Sequence, residues 1–293
     1  MATSLDQLRA VDLEATDIPT LLEMLTPVFR GLALDAVVIP IGTRLFRGRI
    51  VTERPANIFE VGPPPAELIR SRGRLNDVGE RIGYFSHSRR PAYFEVAPEI
   101  GDFFILSRWV LSEPVIPLHV GYTADASQSL NSAREVSTVP WYEKVNSRDC
   151  RTKEIYQFLS SEITKRIPKG SENAYKMTIA IGKKFFLDGP HDGLLYPTIA
   201  MNGNADNIVI LPKSFGKIRL VAIEFNKVSK REGLIYTADY VDSSVQWNSN
   251  GDIMWNGRGL KWELTPDCFP TTSRIVDEEW LLFRPDGTEI PFS

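Results

Sequence analysis

Gly73-Arg74-Leu75-Asn76-Asp77-Val78-Gly79 leads, after three residues, into Gly83-Tyr84-Phe85-Ser86 and then Pro91-Ala92-Tyr93-Phe94-Glu95-Val96. The first piece, two glycines around an arginine and an asparagine, reads as a shaped polar loop. The second has the length and aromatic content of a buried strand. Upstream, Ala36 to Ile41 and Thr43 to Arg47 read as strands around Gly42, and 54–65, with Pro55, Gly62 and Pro63-Pro64-Pro65, as a loop. Downstream, Phe103 to Val110 and Val115 to Val120 are strand-like, and Thr123 to Asn131 is a small polar stretch expected at the surface.

The rest of the chain mixes the two periodicities. Ser4 with Gln7 makes a capping-box pattern ahead of Leu5, Leu8 and Val11, and Asp17 opens a second amphipathic piece through Leu21, Leu22 and Leu25 that Pro27 should end or kink. Lys153 to Arg166 and Glu172 to Phe186 are expected helices. The last third is β-rich: Ile208 to Leu211, Leu220 to Phe225 and Leu234 to Tyr240. Asn250-Gly251 forms a hairpin between Val245/Trp247 and Ile253/Trp255, and Pro285-Asp286-Gly287 a second turn. Trp247, Trp255, Trp262 and Trp280 are expected in β core. Strands and helices alternate without a βαβ rhythm, so the expected class is α+β.

Composition disfavours several functions. The 293 residues carry 34 Lys+Arg against 37 Asp+Glu, a net charge of −3, which disfavours a protein living on nucleic acid by counterion release. The two cysteines, Cys150 and Cys268, are far apart and fit a reducing cytoplasm. His87, His119 and His191 form no metal-ligand spacing, so no metal is expected. The best apolar run, Leu32 to Ile41, is about half the ~20 residues needed to span a bilayer. Phosphate-binding glycine loops, the G-x-S-x-G elbow and H-E-x-x-H are absent. Asp188, His191 and Asp192 crowd the Gly189-Pro190 turn, and the plain reading there is a solvated turn.

Taken in order, Leu45-Phe46-Arg47-Gly48-Arg49, the 73–79 loop, Tyr84, Glu95, Tyr196-Pro197-Thr198 and Asn207 resemble the pattern of the RES family, named for its Arg, Glu and Ser positions. That pattern is an arginine at a strand end, G-x-R-x-N-x-x-G, a tyrosine, a small helix carrying glutamate, and late Y-P-S followed by asparagine. The resemblance covers about 40–228, with an apparent insertion near 121–152. An N-terminal helical extension (1–39) and a C-terminal β-rich extension (229–293) packed on the same domain lie outside it. It implies an ADP-ribosyltransferase-like mixed β core with flanking helices, extra N-terminal helices and C-terminal β hairpins. Family members are toxins of bacterial toxin–antitoxin systems that break the nicotinamide–ribose bond of NAD and pass ADP-ribose to water or inorganic phosphate. The resemblance therefore implies a cytoplasmic enzyme with NAD as substrate and no tightly bound cofactor. A protein antitoxin would block its active site, and a homo-oligomer is compatible; no nucleic acid or membrane is touched directly.

Matched residue by residue, the resemblance makes Arg74, Tyr84, Glu95 and Thr198 catalytic, and Arg47, Asn76 and Asn207 NAD-binding. The chemistry agrees. Guanidinium groups bind diphosphates bidentately, which suits Arg47 and Arg74. Loss of nicotinamide builds oxocarbenium character, which a carboxylate such as Glu95 would favour. Tyr84 could stack on nicotinamide or hold the ribose, the Thr198 hydroxyl could bond ribose or incoming phosphate, and Asn207 could order its loop. Thr198 stands where the family has serine; it keeps the hydroxyl but adds a methyl that stiffens χ1. Singly, each residue has a plain reading: solvated charges at Arg47 and Glu95, a shaped turn at Arg74 and Asn76, core at Tyr84, a strand start at Thr198. Two other readings stay open: ADP-ribose transfer to a protein target, and a catalytically inactive module that binds NAD or a partner.

Overall fold

Strand β1 (Arg44–Val51) pairs along its whole length with β3 (Phe103–Leu111), Arg44 opposite Val110 and Val51 opposite Phe103. It meets β2 (Gly83–Ser86) at one register pair, Phe46 opposite Ser86. The computed structural model describes residues 4–129, 148–168, 170–186, 189–203, 205–232 and 235–257, with strand backbone at 260–264, 273–276, 279–283 and 289–290. The other strands of the main sheet are β4 (Pro117–His119), β5 (Gly193–Pro197), β6 (Asp206–Ile210), β7 (Ile218–Glu232), β8 (Ile235–Ser244) and β9 (Leu260–Leu264). Among the described residues this sheet has nine strands in the order β4-β5-β6-β2-β1-β3-β7-β8-β9, antiparallel except for the β4–β5 pair. A second antiparallel sheet joins β10 (Ser273–Val276), β11 (Glu279–Phe283) and β12 (Glu289–Ile290). The class is α+β.

Strand alternation puts successive side chains on opposite faces. Leu194, Tyr196 and Val209 face a cluster built by α1 (Ser4–Arg9), α2 (Ile18–Val28), α5 (Cys150–Ile163) and α6 (Lys176–Phe186), with Leu8, Leu21, Leu25, Phe158, Leu159 and Ile179 at its centre. The N-terminal helices thus share a core with the sheet. Leu195, Ile208, Ile210, Phe85 and Leu45 face the other way, against Ile39 and Val115. Over β1 and β3, α3 (Arg89–Val96) packs Ala92 and Tyr93 on Phe46, Phe104 and Leu106. It comes so close that a Cβ on Gly48 would lie 2.4 Å from the Ala92 carbonyl oxygen.

Most expected elements form, with instructive differences. The strand expected over Ala36 to Ile41 is reduced to two isolated bridges, Ala36 with Leu118 and Ile39 with Val115, and Pro40 has no N–H to extend them. Ala124–Ser129, expected as a surface stretch, is helix α4, because the Thr123 hydroxyl caps the Ala126 N–H at 3.2 Å. Helix α5 begins three residues before Lys153 because the Asp149 carboxylate caps the Thr152 N–H. Pro27 sits inside the last turn of α2, which stops at Val28. The Asn250-Gly251 hairpin closes on a single bridge, Trp247 with Ile253. Trp247 and Trp255 pack on Ile105 and Phe225, whereas the side chains of Trp262 and Trp280, the 285–287 turn, Asp188 and most of the 121–152 insertion lie outside the described residues. Asp192 is structural: its buried carboxylate accepts from Ser214, Lys217 and the Ile116 N–H. No helix among the described residues is long and apolar enough to cross a membrane.

Close pairing of β5 with β6 requires Gly193, where a Cβ would stand 1.7 Å from the Val209 carbonyl oxygen. Gly193→Ala is expected to cost about 3 kcal/mol by forced overpacking. Gly216→Ala, where a Cβ meets nothing within 4 Å, should stay within about 0.5 kcal/mol of wild type. Urea unfolding of the two variants checks the contrast.

Candidate functional site

Register builds the floor of the site. Tyr196 on β5 is opposite Asn207 on β6, Asn207 is opposite Ser86 on β2, and Ser86 is opposite Phe46 on β1. Directly opposed residues in antiparallel strands share a face, so one row crosses four strands beneath α3. The Ser86 hydroxyl donates to Asn207 Oδ1 at 2.9 Å, and Asn207 Nδ2 donates to Glu95 Oε1 at 2.7 Å. With its oxygen claimed by the hydroxyl, the amide can turn only its NH₂ toward α3. Glu95 is otherwise exposed, and its carboxylate is held at the edge of a cleft of about 240 Å³.

Arg47, Arg74, Tyr84, Glu95 and Asn207 all line this cleft, together with Ser86, Tyr175 and Tyr196. Arg47 is the unusual member. One residue past the single β1–β2 pair, its Nη1 donates to the Tyr84 carbonyl at 3.2 Å, while its Nε is sealed from solvent with no partner. Among the described residues no carboxylate forms an ion pair with it. Burial, and then the nearby Arg49 charge, push its guanidinium down to about 10, so it is still cationic at neutral pH. Enclosing a cation without a counter-charge is costly, and ionisable groups perturbed by burial cluster at functional sites.

Arg74 is placed differently. Its Nη1 donates to the carbonyls of Ile163 (2.8 Å) and Lys165 (3.1 Å), satisfying the end of α5 as a terminal cation should. Its guanidinium carbon lies 5.5 Å from the centre of the Tyr175 ring. The Tyr84 hydroxyl accepts from the Leu75 N–H at 2.8 Å and donates to Asn76 Oδ1 at 2.9 Å. The glycine at 73 is needed there, since a Cβ would come within 2.5 Å of Asn76 Oδ1. Burial pushes the Tyr84 and Tyr196 phenols well up, and the Glu95 charge adds to the second. Both stay neutral, Tyr84 as a ring wall with an occupied hydroxyl.

Two residues expected in the site lie beside it. Asn76 is buried under the cleft, bonded to Tyr84 and to the Asp77 carbonyl, and acts by holding the tyrosine. Thr198 is fully buried; its hydroxyl accepts from the Met201 N–H at 3.3 Å and its backbone closes the 198–205 turn, so it faces no ligand space. Tyr175, Ser86 and the face of Tyr196 were not legible as site residues, because α6 docking and the β5–β6–β2 register bring them in from far along the chain. Among the described residues no cluster of His, Cys, Asp or Glu could hold a metal ion. No family model, no curated protein and no solved structure matches the chain.

Arg47→Met, which keeps the apolar stem and removes the charge, is expected to leave stability unchanged or raise it by up to about 2 kcal/mol. The pH dependence has a definite sign. The folded-state pKa lies below the unfolded one, so above about pH 10 the unfolded chain binds more protons and wild type regains ground on the variant. The stability difference should be flat near neutrality and shrink at the alkaline end, as read by thermal unfolding at several pH values.

Proposed function

We propose that the cleft binds NAD and cleaves its nicotinamide–ribose bond, with water or inorganic phosphate as acceptor. The observation that carries the reading is the enclosed, unpaired Arg47 cation in the same cleft as an Asn207-held carboxylate and three tyrosine rings. A diphosphate supplies the negative charge that Arg47 lacks, and Arg74 lines the same cleft. The volume, somewhat below the usual range of small-molecule sites, suits one half of a dinucleotide rather than the whole. A flat, electron-poor pyridinium suits tyrosine faces.

In this reading the bond between the ribose anomeric carbon and the nicotinamide nitrogen breaks with its electron pair on nitrogen. The leaving group departs as neutral nicotinamide and needs no proton. The ribose becomes oxocarbenium-like, and Glu95 opposes that positive charge across the cleft edge. A water or phosphate oxygen then bonds to the anomeric carbon; with water, the released proton passes to Glu95 or solvent. The ordered resemblance to the RES family supports the same assignment. It extends the proposal to an ADP-ribosyltransferase-like core, to growth inhibition by NAD depletion and to a protein partner that covers the cleft.

Nicotinamide release from NAD, with and without inorganic phosphate, tests this. Wild type should release it, Glu95→Gln should lose about 10²-fold or more in kcat, and Arg47→Met should raise KM. Phosphate dependence would name the acceptor. Label appearing in protein instead would favour transfer to a target, and tight binding without release a binding module. Folded wild-type protein that neither binds nor cleaves NAD would overturn the reading.

A further inference from the structure

The start of α6 and the 3-10 turn before it, Glu172–Tyr175, are tied in two directions. Toward the N-terminus, the buried Lys176 ammonium donates to the carbonyls of Leu13 (2.7 Å), Thr16 (3.1 Å) and Glu14 (3.3 Å), and the Asn173 amide donates to the Glu14 carboxylate. Toward the cleft, Asn173 Oδ1 accepts from Arg72 Nη1 at 2.7 Å, and the Thr178 hydroxyl donates to the Arg74 carbonyl. Tyr175, between these anchors, lies under the Arg74 guanidinium.

The turn is built to receive the lysine. The Asp12 carboxylate accepts from the Glu14 N–H at 2.9 Å and its carbonyl from the Thr16 N–H at 2.9 Å, which leaves three carbonyls converging on one point. Three acceptors match the three ammonium protons. Lysine is seldom buried unless satisfied, and a cation at the start of a helix opposes the helix dipole. A lysine is therefore an unfavourable choice here except for the link it makes.

We propose that the Asp12–Thr16 turn is a positioning element of the cleft, acting through Lys176 and Asn173 on the wall formed by Arg74 and Tyr175. The turn belongs to the N-terminal extension, outside the stretch that resembles the RES pattern, so the extension completes the site rather than decorating it. The proposal rests on the NAD reading only for what that wall binds. Lys176 and Asn173 are positioning residues and touch no ligand.

The test uses the full-length chain with Lys176→Met, Asn173→Ala and the conservative Lys176→Arg. Amide hydrogen exchange on the ligand-free proteins reads the coupling directly. Lys176→Met and Asn173→Ala should speed exchange at Gly73 and Leu75, whose N–H groups bond the Asn76 carbonyl and the Tyr84 hydroxyl, as well as at 12–16. In NAD turnover, the same variants should raise KM by about tenfold with kcat within about threefold, and Lys176→Arg should recover part of the loss. Faster exchange confined to 12–16, or an unchanged KM beside wild type, would overturn the proposal. If wild type does not turn over NAD, the exchange result alone decides, and the two failures are told apart.

Discussion

The register of β6 between β5 and β2 is the constraint on which the cleft depends. Asn207 faces Ser86 on one side and Tyr196 on the other because the three strands are hydrogen-bonded in that alignment. A slip of one residue would turn Asn207 to the opposite face and bring Ile208 to the cleft. The glycine at 193 and the apolar alternation of Leu195, Ile208 and Ile210 against Leu194 and Val209 hold that register. Once it is set, Ser86 orients the Asn207 amide, the amide holds Glu95, and α3 is docked over the row.

Among the residues that line the cleft, Arg47 alone has a sealed polar atom without a partner. Arg74, Tyr84, Asn76 and Asn207 all have protein partners, and Lys176 has three. Arg47 keeps one carbonyl contact and a sealed, unpartnered Nε. The buried carboxylates of Asp192 and Glu224 are paired with Lys217 and Arg89, whereas Arg47 has no carboxylate partner among the described residues.

Much of this was legible in the sequence, though unevenly. Locally encoded features read well: the Gly83–Ser86 strand, the Phe103 strand, the helices at 153 and 176, and the glycine-flanked loop. Arg47, Arg74, Tyr84, Glu95 and Asn207 were found as an ordered set, and the fold brings them to one cleft. Thr198 lies outside the cleft lining: in sequence a hydroxyl after Tyr196-Pro197 looks the same whether it faces a ligand or caps the 198–205 turn, and here it accepts from the Met201 N–H. Asn76 reads as ligand-binding until its amide oxygen is seen to accept from Tyr84. Tyr175 and Lys176 carry helix-core patterning, and their roles come from contacts with residues more than a hundred positions away. Long-range register and side-chain choice between two local partners are what a single sequence leaves open.

The most direct measurement is the structure of the Glu95→Gln protein at saturating NAD. The account predicts phosphate oxygens against the Arg47 guanidinium, the nicotinamide riboside among Tyr84, Tyr175 and Tyr196, and the anomeric carbon beside residue 95. A cleft without ligand, or NAD bound elsewhere with Arg47 still unpaired, would contradict it.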